Sequence, residues 1–280
     1  MYATRLFMPI AAIAALISSA LGLPATIETT PGGSSHQKLS RAPVAQRKAT
    51  SLRIMALGAS ATSGVGSSTS NGYREFLREL LESPPTNSGA QLASIPINFV
   101  GSLTSGTMTD HQHEGWRGLE IAEIADKAAL AIPKYNPAIV LVLAGTNDCV
   151  RDVDVAHAGE RMAKLLDDIH ALSGGNATAV VATLQPNSKD AVNDRVHTVN
   201  DRVHTVNMQY RALVRSLRQQ QQQEGGSRRV YLAEMRIGEN ALSRSKDLAD
   251  GLHPNDGGYA KMAKVWDAVI RQALVDGGGR

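Results

Sequence analysis

Leu52-Arg53-Ile54-Met55-Ala56-Leu57 runs directly into Gly58-Ala59-Ser60, and Ser63-Gly64-Val65-Gly66-Ser67-Ser68 follows just behind. The first six residues are a short apolar run of the kind that forms a buried strand. Tyr73 to Leu81 then repeats its apolar positions at three and four, which is the spacing of a helix. A strand, a turn of small residues and a helix make the opening of a βαβ unit. A serine at the carboxyl end of such a strand stands where an α/β sheet holds its chemistry. Gly, Ala and Ser also make ordinary βα turns. The serine therefore matters only if the chain supplies a base, an orienting acid and an oxyanion site.

The same alternation continues along the chain. Strand-like apolar runs fall at 52–57, 97–100, 138–144, 178–183 and 229–233. Helical patterns lie between them at about 72–82, 119–132, 155–172 and 193–222, with a last one at about 256–274. Ile139 to Leu143 and Ala179 to Ala182 are apolar at every position, as central strands covered on both faces are. Five strands alternating with helices predict a three-layer α/β/α sandwich around a five-stranded parallel sheet. Asn255 or Asp256 can cap the last helix, and Gly277 to Gly279 end it.

The whole chain has 280 residues and a formal charge of +3, of which residues 1–50 carry +4: five Lys or Arg against Glu28. Residues 51–280 are left at −1, which gives nucleic acid or an anionic membrane no electrostatic footing. Met1 to Arg5 is a short cationic start, and Leu6 to Leu23 is apolar apart from two serines and Pro9. This pattern predicts a signal peptide over residues 1–22, cut after Gly22 or Ala25, and a secreted protein. An uncleaved anchor is the alternative, because the apolar run approaches spanning length. Residues 23–50 read as a disordered linker or propeptide, and 51–280 as the folded domain. Cys149 is the single cysteine, so no intramolecular disulfide is possible. Asn176-Ala177-Thr178 is a candidate glycosylation sequon. Asn193 to Val199 is repeated without change as Asn200 to Val206. Seven residues are nearly two helical turns, so the duplication lengthens its helix by ~10 Å and keeps the apolar stripe in place.

Three further stretches can carry chemistry. Asp250-Gly251-Leu252-His253-Pro254 precedes the last helix, and an Asp and His three apart on a turn can face each other. The carboxylate would then hold Nδ1–H and leave Nε2 to take a proton from a hydroxyl. By themselves these residues read rather as a capping Asp and a surface His. Gly145-Thr146-Asn147-Asp148 follows the most apolar strand, where the Asn147 amide can donate to a developing oxyanion or simply close an Asx-turn. Asp148 reads as a support of this loop. Glu114-Gly115-Trp116-Arg117-Gly118 precedes the second helix, and Gly118 can offer a backbone N–H there.

In this order, Gly58-x-Ser60, Gly118, Gly145-x-Asn147-Asp148 and Asp250-x-x-His253-Pro254 resemble the SGNH (GDSL-type) hydrolase family. The resemblance covers about residues 52–274. Gly64-Val65-Gly66-Ser67-Ser68, Asn71-Gly72-Tyr73-Arg74, Phe99-Val100-Gly101-Ser102 and His113 to Gly118 look most like its fungal carbohydrate-esterase branch, of acetylxylan-esterase type. The resemblance implies the flavodoxin-like SGNH fold. It also implies Ser60 as nucleophile, His253 as general base and acid, and Asp250 as orienting acid. The oxyanion hole would be the Ser60 and Gly118 N–H groups and the Asn147 side chain. The family's Gly-Asp-Ser is Gly-Ala-Ser here, so Ala59 cannot hold the nucleophile loop through its side chain.

Asp110-His111-Gln112-His113-Glu114 places two imidazoles on one face of an extended chain, but no distant third ligand stands out, so no metal is expected. His113, Glu114 and Trp116 are expected to line the substrate cleft. Cys149 has no neighbouring His to activate it and reads as a buried, inert thiol. The sum is a monomeric, cofactor-free esterase that cleaves O-acyl, chiefly O-acetyl, esters of carbohydrate or another small ester. It is expected to have no nucleic-acid partner and no stable membrane association after signal cleavage. A lipase or lysophospholipase on the same fold is the alternative enzyme. A catalytically inactive carbohydrate-binding homologue is the alternative from another class.

Overall fold

A computed structural model describes residues 51–83, 96–187, 197–225 and 228–277. The expected signal peptide and linker (1–50) and Asn193 to Val196 of the first repeat copy lie outside the described residues.

The strand β1 (Leu52–Gly58) is followed by the helix α1 (Tyr73–Glu82) and by the short strands β2 (Ile97–Phe99), β3 (Leu103–Thr104) and β4 (Gln112–Gly115). Next come α2 (Ile121–Tyr135), β5 (Ile139–Leu143), the short helix α3 (Thr146–Arg151), a 3₁₀ turn at Val155–His157 and α4 (Ala158–Leu172). The chain closes with β6 (Thr178–Ala182), α5 (His197–Glu224), β7 (Arg229–Ala233) and α6 (Asp256–Gly277). Every residue of β5 and β6 is buried, as the continuous apolar runs require of strands covered on both faces.

The parallel strands run in the order β2-β1-β5-β6-β7, with Ile54 beside Ile139 and Ile139 beside Thr178. The α/β/α sandwich is as expected, but the sheet is mixed and has seven strands, not five. β4 takes over from β2 on the same edge of β1, pairing Leu57 with Glu114 and Gly58 with Gly115. β3 then adds to β4 in the antiparallel sense. These two strands escape an apolar-run reading because they are short and polar: β4 reads Gln-His-Glu-Gly and is held by hydrogen bonds to its side chains.

Helices α1 and α6 pack on one face of the sheet, and α2, α4 and α5 on the other. Tyr73 of α1 joins the two outer helices through Trp266 and Tyr259 of α6, with ring centroids 5.7 and 6.5 Å away. All three rings are fully buried.

The repeated segment lies in α5, where Val199, Val203 and Val206 face the core. Asn200, which opens the second copy, and Asn207, the residue just past it, do more than keep a stripe. Asn207 accepts from the Leu184 N–H at 2.7 Å and donates to the Leu184 carbonyl at 3.1 Å. Asn200, two turns earlier, does the same to Asn187 at 3.1 and 2.8 Å. Seven helical residues rise ~10.5 Å, and three extended residues span ~10 Å. The helix and the extended chain beyond β6 are therefore commensurate, and two asparagines seven residues apart each fit one step.

Candidate active site

Ser60 stands two residues past Gly58, where β1 ends and the chain turns sharply. Ser63 N–H donates to the Ala59 carbonyl and Val65 N–H to the Ser60 carbonyl, both at 3.1 Å. Gly66 (φ +92°) explains part of the glycine-rich run: a Cβ there would come within 2.5 Å of the Pro254 carbonyl oxygen and 3.0 Å of the His253 Cβ. Only a glycine lets the segment behind Ser60 lie against the loop that carries His253. Asp256, in the first turn of α6, fastens the same segment by accepting from Ser68 N–H at 3.0 Å.

Asp250 and His253 face each other as their spacing suggests. One Asp250 oxygen accepts from the N–H groups of Leu252 (2.9 Å) and His253 (2.8 Å), while the other lies 2.8 Å from His253 Nδ1. Partial burial raises the carboxyl, but these bonds from His253 and Leu252 outweigh it and bring Asp250 down to about 2. An ionised carboxylate only accepts, so Nδ1 carries the imidazole proton and Nε2 is left as an acceptor. His253 Nε2 lies 2.9 Å from Ser60 Oγ.

Asn147, in the first turn of α3, donates through Nδ2 to the Leu119 carbonyl at 2.8 Å, next to Gly118 (φ +80°). One amide N–H of Asn147 is not used in that bond. Trp116 N–H donates to the Gly58 carbonyl at 2.8 Å, which brings the 115–118 segment beside the Ser60 turn. Asp148 is wholly buried and accepts from Ile121 N–H and Arg161, each at 3.1 Å. Its burial raises the carboxyl above the ordinary range against the pull of those donors. It joins α3 to α2, the supporting role expected of it. Cys149 is buried, and burial foremost pushes its thiol up to about 12, as suits an inert cysteine.

The cleft expected around His113 and Glu114 is corrected. Both side chains are buried, at 2% and 1% exposure, and spend their polar atoms inside the protein. Glu114 accepts from Ser102 N–H at 2.6 Å and from the Trp116 indole at 2.8 Å. Trp116 is half-buried, with the Lys127 ammonium 4.5 Å from its ring centre. His111 Nδ1 lies 2.9 Å from the Met108 carbonyl oxygen. Asn176 is exposed in the turn before β6.

A second serine–histidine contact, Ser105 Oγ to His113 Nε2 at 2.8 Å, is as short as the first but has the opposite polarity. His113 Nδ1 accepts from Gly115 N–H at 2.9 Å, so the ring proton sits on Nε2 and is donated to Ser105. Burial first, then Arg74, Arg117 and His111, hold His113 at about 3. Ser105 Oγ also accepts from Arg74 at 3.0 Å and donates to the Ser63 carbonyl at 2.6 Å. Neither lone pair of that hydroxyl is left to attack, and the imidazole beside it has no basic nitrogen to offer.

An α/β/α sandwich with an Asp–His–Ser hydrogen-bonded chain at the carboxyl end of its first strand has the arrangement of a serine hydrolase. Residues 56–261 match the GDSL-like Lipase/Acylhydrolase family, and the chain belongs to that family. A multidomain esterase of Ruminococcus flavefaciens is 28% identical over 248 residues, covering 81% of this chain and 29% of that protein. The chain thus spans under a third of that relative's length. Among solved structures, a family 3 carbohydrate esterase of Clostridium thermocellum superposes with a TM-score of 0.62 at 27% identity, over 82% of this chain and all of the other. A family 3 carbohydrate esterase of Talaromyces cellulolyticus shares the fold at a TM-score of 0.58 and 21% identity, over 80% and 99%.

Proposed function

We propose that this chain is a secreted serine esterase that removes O-acyl, chiefly O-acetyl, groups from carbohydrate through an acyl-enzyme. The observation that carries the reading is the unbroken line from Asp250 through His253 to Ser60 Oγ, at 2.8 and 2.9 Å. Ser60 Oγ attacks the ester carbonyl while His253 Nε2 takes its proton, and the Asp250 carboxylate stabilises the imidazolium that forms. The new oxyanion is held by the Ser60 and Gly118 N–H groups and the free Asn147 amide proton. His253 then protonates the departing sugar oxygen and afterwards activates a water, which releases the acid and restores Ser60.

The carbohydrate substrate rests on the similarity to the Clostridium esterase. Secretion rests on the cationic start and apolar run of residues 1–23. Among the described residues no helix is long and apolar enough to cross a membrane.

Wild type should hydrolyse p-nitrophenyl acetate, and Ser60→Ala should lose at least ~10³-fold in kcat. Acetylated xylan should release acetate, and rates on p-nitrophenyl esters should fall as the acyl chain lengthens. Rates that rise with chain length instead would make the protein a lipase on this fold. Absence of serine-dependent turnover would leave the carbohydrate-binding alternative.

A further inference from the structure

Ala59 offers no side-chain hydrogen bond to the turn that carries Ser60, yet the turn is held on two sides. Ser63 is the node. Its hydroxyl donates to the Ser60 carbonyl at 2.9 Å and accepts from Arg117 Nε at 3.1 Å. Its carbonyl accepts from Ser105 Oγ, which is itself held by His113 and by Arg74. Arg74 is wholly buried on α1 and also donates to the carbonyls of Ser70, Ser105 and His111 at 3.2, 3.1 and 2.8 Å. β4 lies directly against the turn: a Cβ on Gly115 would come within 2.5 Å of Ser63 N.

We infer that Ser105 and His113 are positioning residues for the nucleophile: a buried clamp that fixes the Ser63 carbonyl, and through Ser63 the backbone of Ser60. The inference rests on Ser60 being the nucleophile. The direction of each bond supports it. Ser105 accepts two N–H donors and so has its one hydroxyl proton aimed at Ser63, with no rotamer freedom left. His113 supplies one of those donors because Gly115 N–H fixes its tautomer. Burial keeps the ring neutral, so the clamp holds across the working pH range of an esterase. Catalysis depends steeply on where the attacking oxygen stands, and a misplacement of about 1 Å can cost ~10²-fold. No proton passes through this pair, which separates it from the His253–Ser60 contact.

The test compares kcat, KM and pH profile on p-nitrophenyl acetate for four variants, with Ser60→Ala beside them. Ser105→Ala should lower kcat by about 10- to 100-fold with KM within about twofold. Ser105→Thr, which keeps the hydroxyl, should recover most of that loss. The acidic limb of kcat/KM should stay where it is in wild type. His113→Gln, which can keep a donor toward Ser105, should be about tenfold faster than His113→Asn, which cannot reach it. If Ser105→Ala fails to fold, this Gln–Asn pair decides the matter.

A Ser105→Ala enzyme with reduced melting temperature but unchanged kcat would overturn the clamp and leave Ser60 as nucleophile. A displaced acidic limb, or Gln no better than Asn, would do the same. Activity surviving in Ser60→Ala and lost in Ser105→Ala would overturn both.

Discussion

Ser63 and His113 show how much of this site is decided by which atom of a residue is engaged. His113 has its folded-state value at about 3 against an ordinary 6.5. Between those values the unfolded chain binds a proton that the folded protein refuses, so stability falls as pH drops from about 6.5 toward 3. Each pH unit in that window is worth about 1.4 kcal/mol for one such group. Urea titrations at pH 6 and pH 4 should show wild type losing up to ~2–3 kcal/mol more than His113→Gln. Equal losses would mean that His113 is not kept neutral in the fold. Asp250 has the same sign in a lower window: its depressed carboxyl favours the fold above its ordinary 3.8, and that contribution is lost as pH falls from there through about 2. Ser60, Asp250 and His253 are legible in sequence because their short motifs, taken in order, resemble those of the SGNH family; each motif alone reads as an ordinary turn or cap. The buried roles of His113 and Glu114 are not legible. Their partners, Ser105, Ser63 and Ser102, come from other turns, and nothing local distinguishes a polar side chain facing a cleft from one facing a carbonyl.

At the scale of elements, the same limit explains β3 and β4. The five expected strands announce themselves by apolar runs, and all five are present close to their expected bounds. β4 buries His113, Glu114 and Gly115 by satisfying their polar atoms, and hydrophobic periodicity carries no trace of that. The duplication in α5 is a third case. Its spacing showed that the apolar stripe would survive, but the extended chain it meets lies about twenty residues earlier. Asn207 is 1% exposed, and Asn207→Ala would strip a partner from both the N–H and the carbonyl of Leu184. A cost of about 2–4 kcal/mol is expected, read as a lower urea midpoint with an unchanged slope. A loss below ~0.5 kcal/mol would mean that the ladder only decorates the helix.

The whole molecule places Ser60 and His253 on opposite ends of the folded chain, 193 residues apart. What joins them is α6. Its Tyr259 hydroxyl donates between the carbonyls of Val65 (2.6 Å) and Ala61 (3.1 Å), and Trp266 is sealed against Tyr73 of α1. A contact of such long sequence separation is costly to close and forms with or after the packing that supports it. On dilution from denaturant, esterase activity should return together with the fluorescence change that reports Trp266 burial. Activity recovered ahead of that signal would show that the site assembles without its last helix.

The Tyr259 hydroxyl bond gives this dependence a wider meaning. One phenol of the helix that follows His253 bridges two carbonyls of the turn that carries Ser60, while Ser105 and His113 hold that turn from the other side. The serine and the histidine it faces are thus tied together by a side chain that belongs to neither loop, and Tyr259→Phe should loosen that tie without removing either partner.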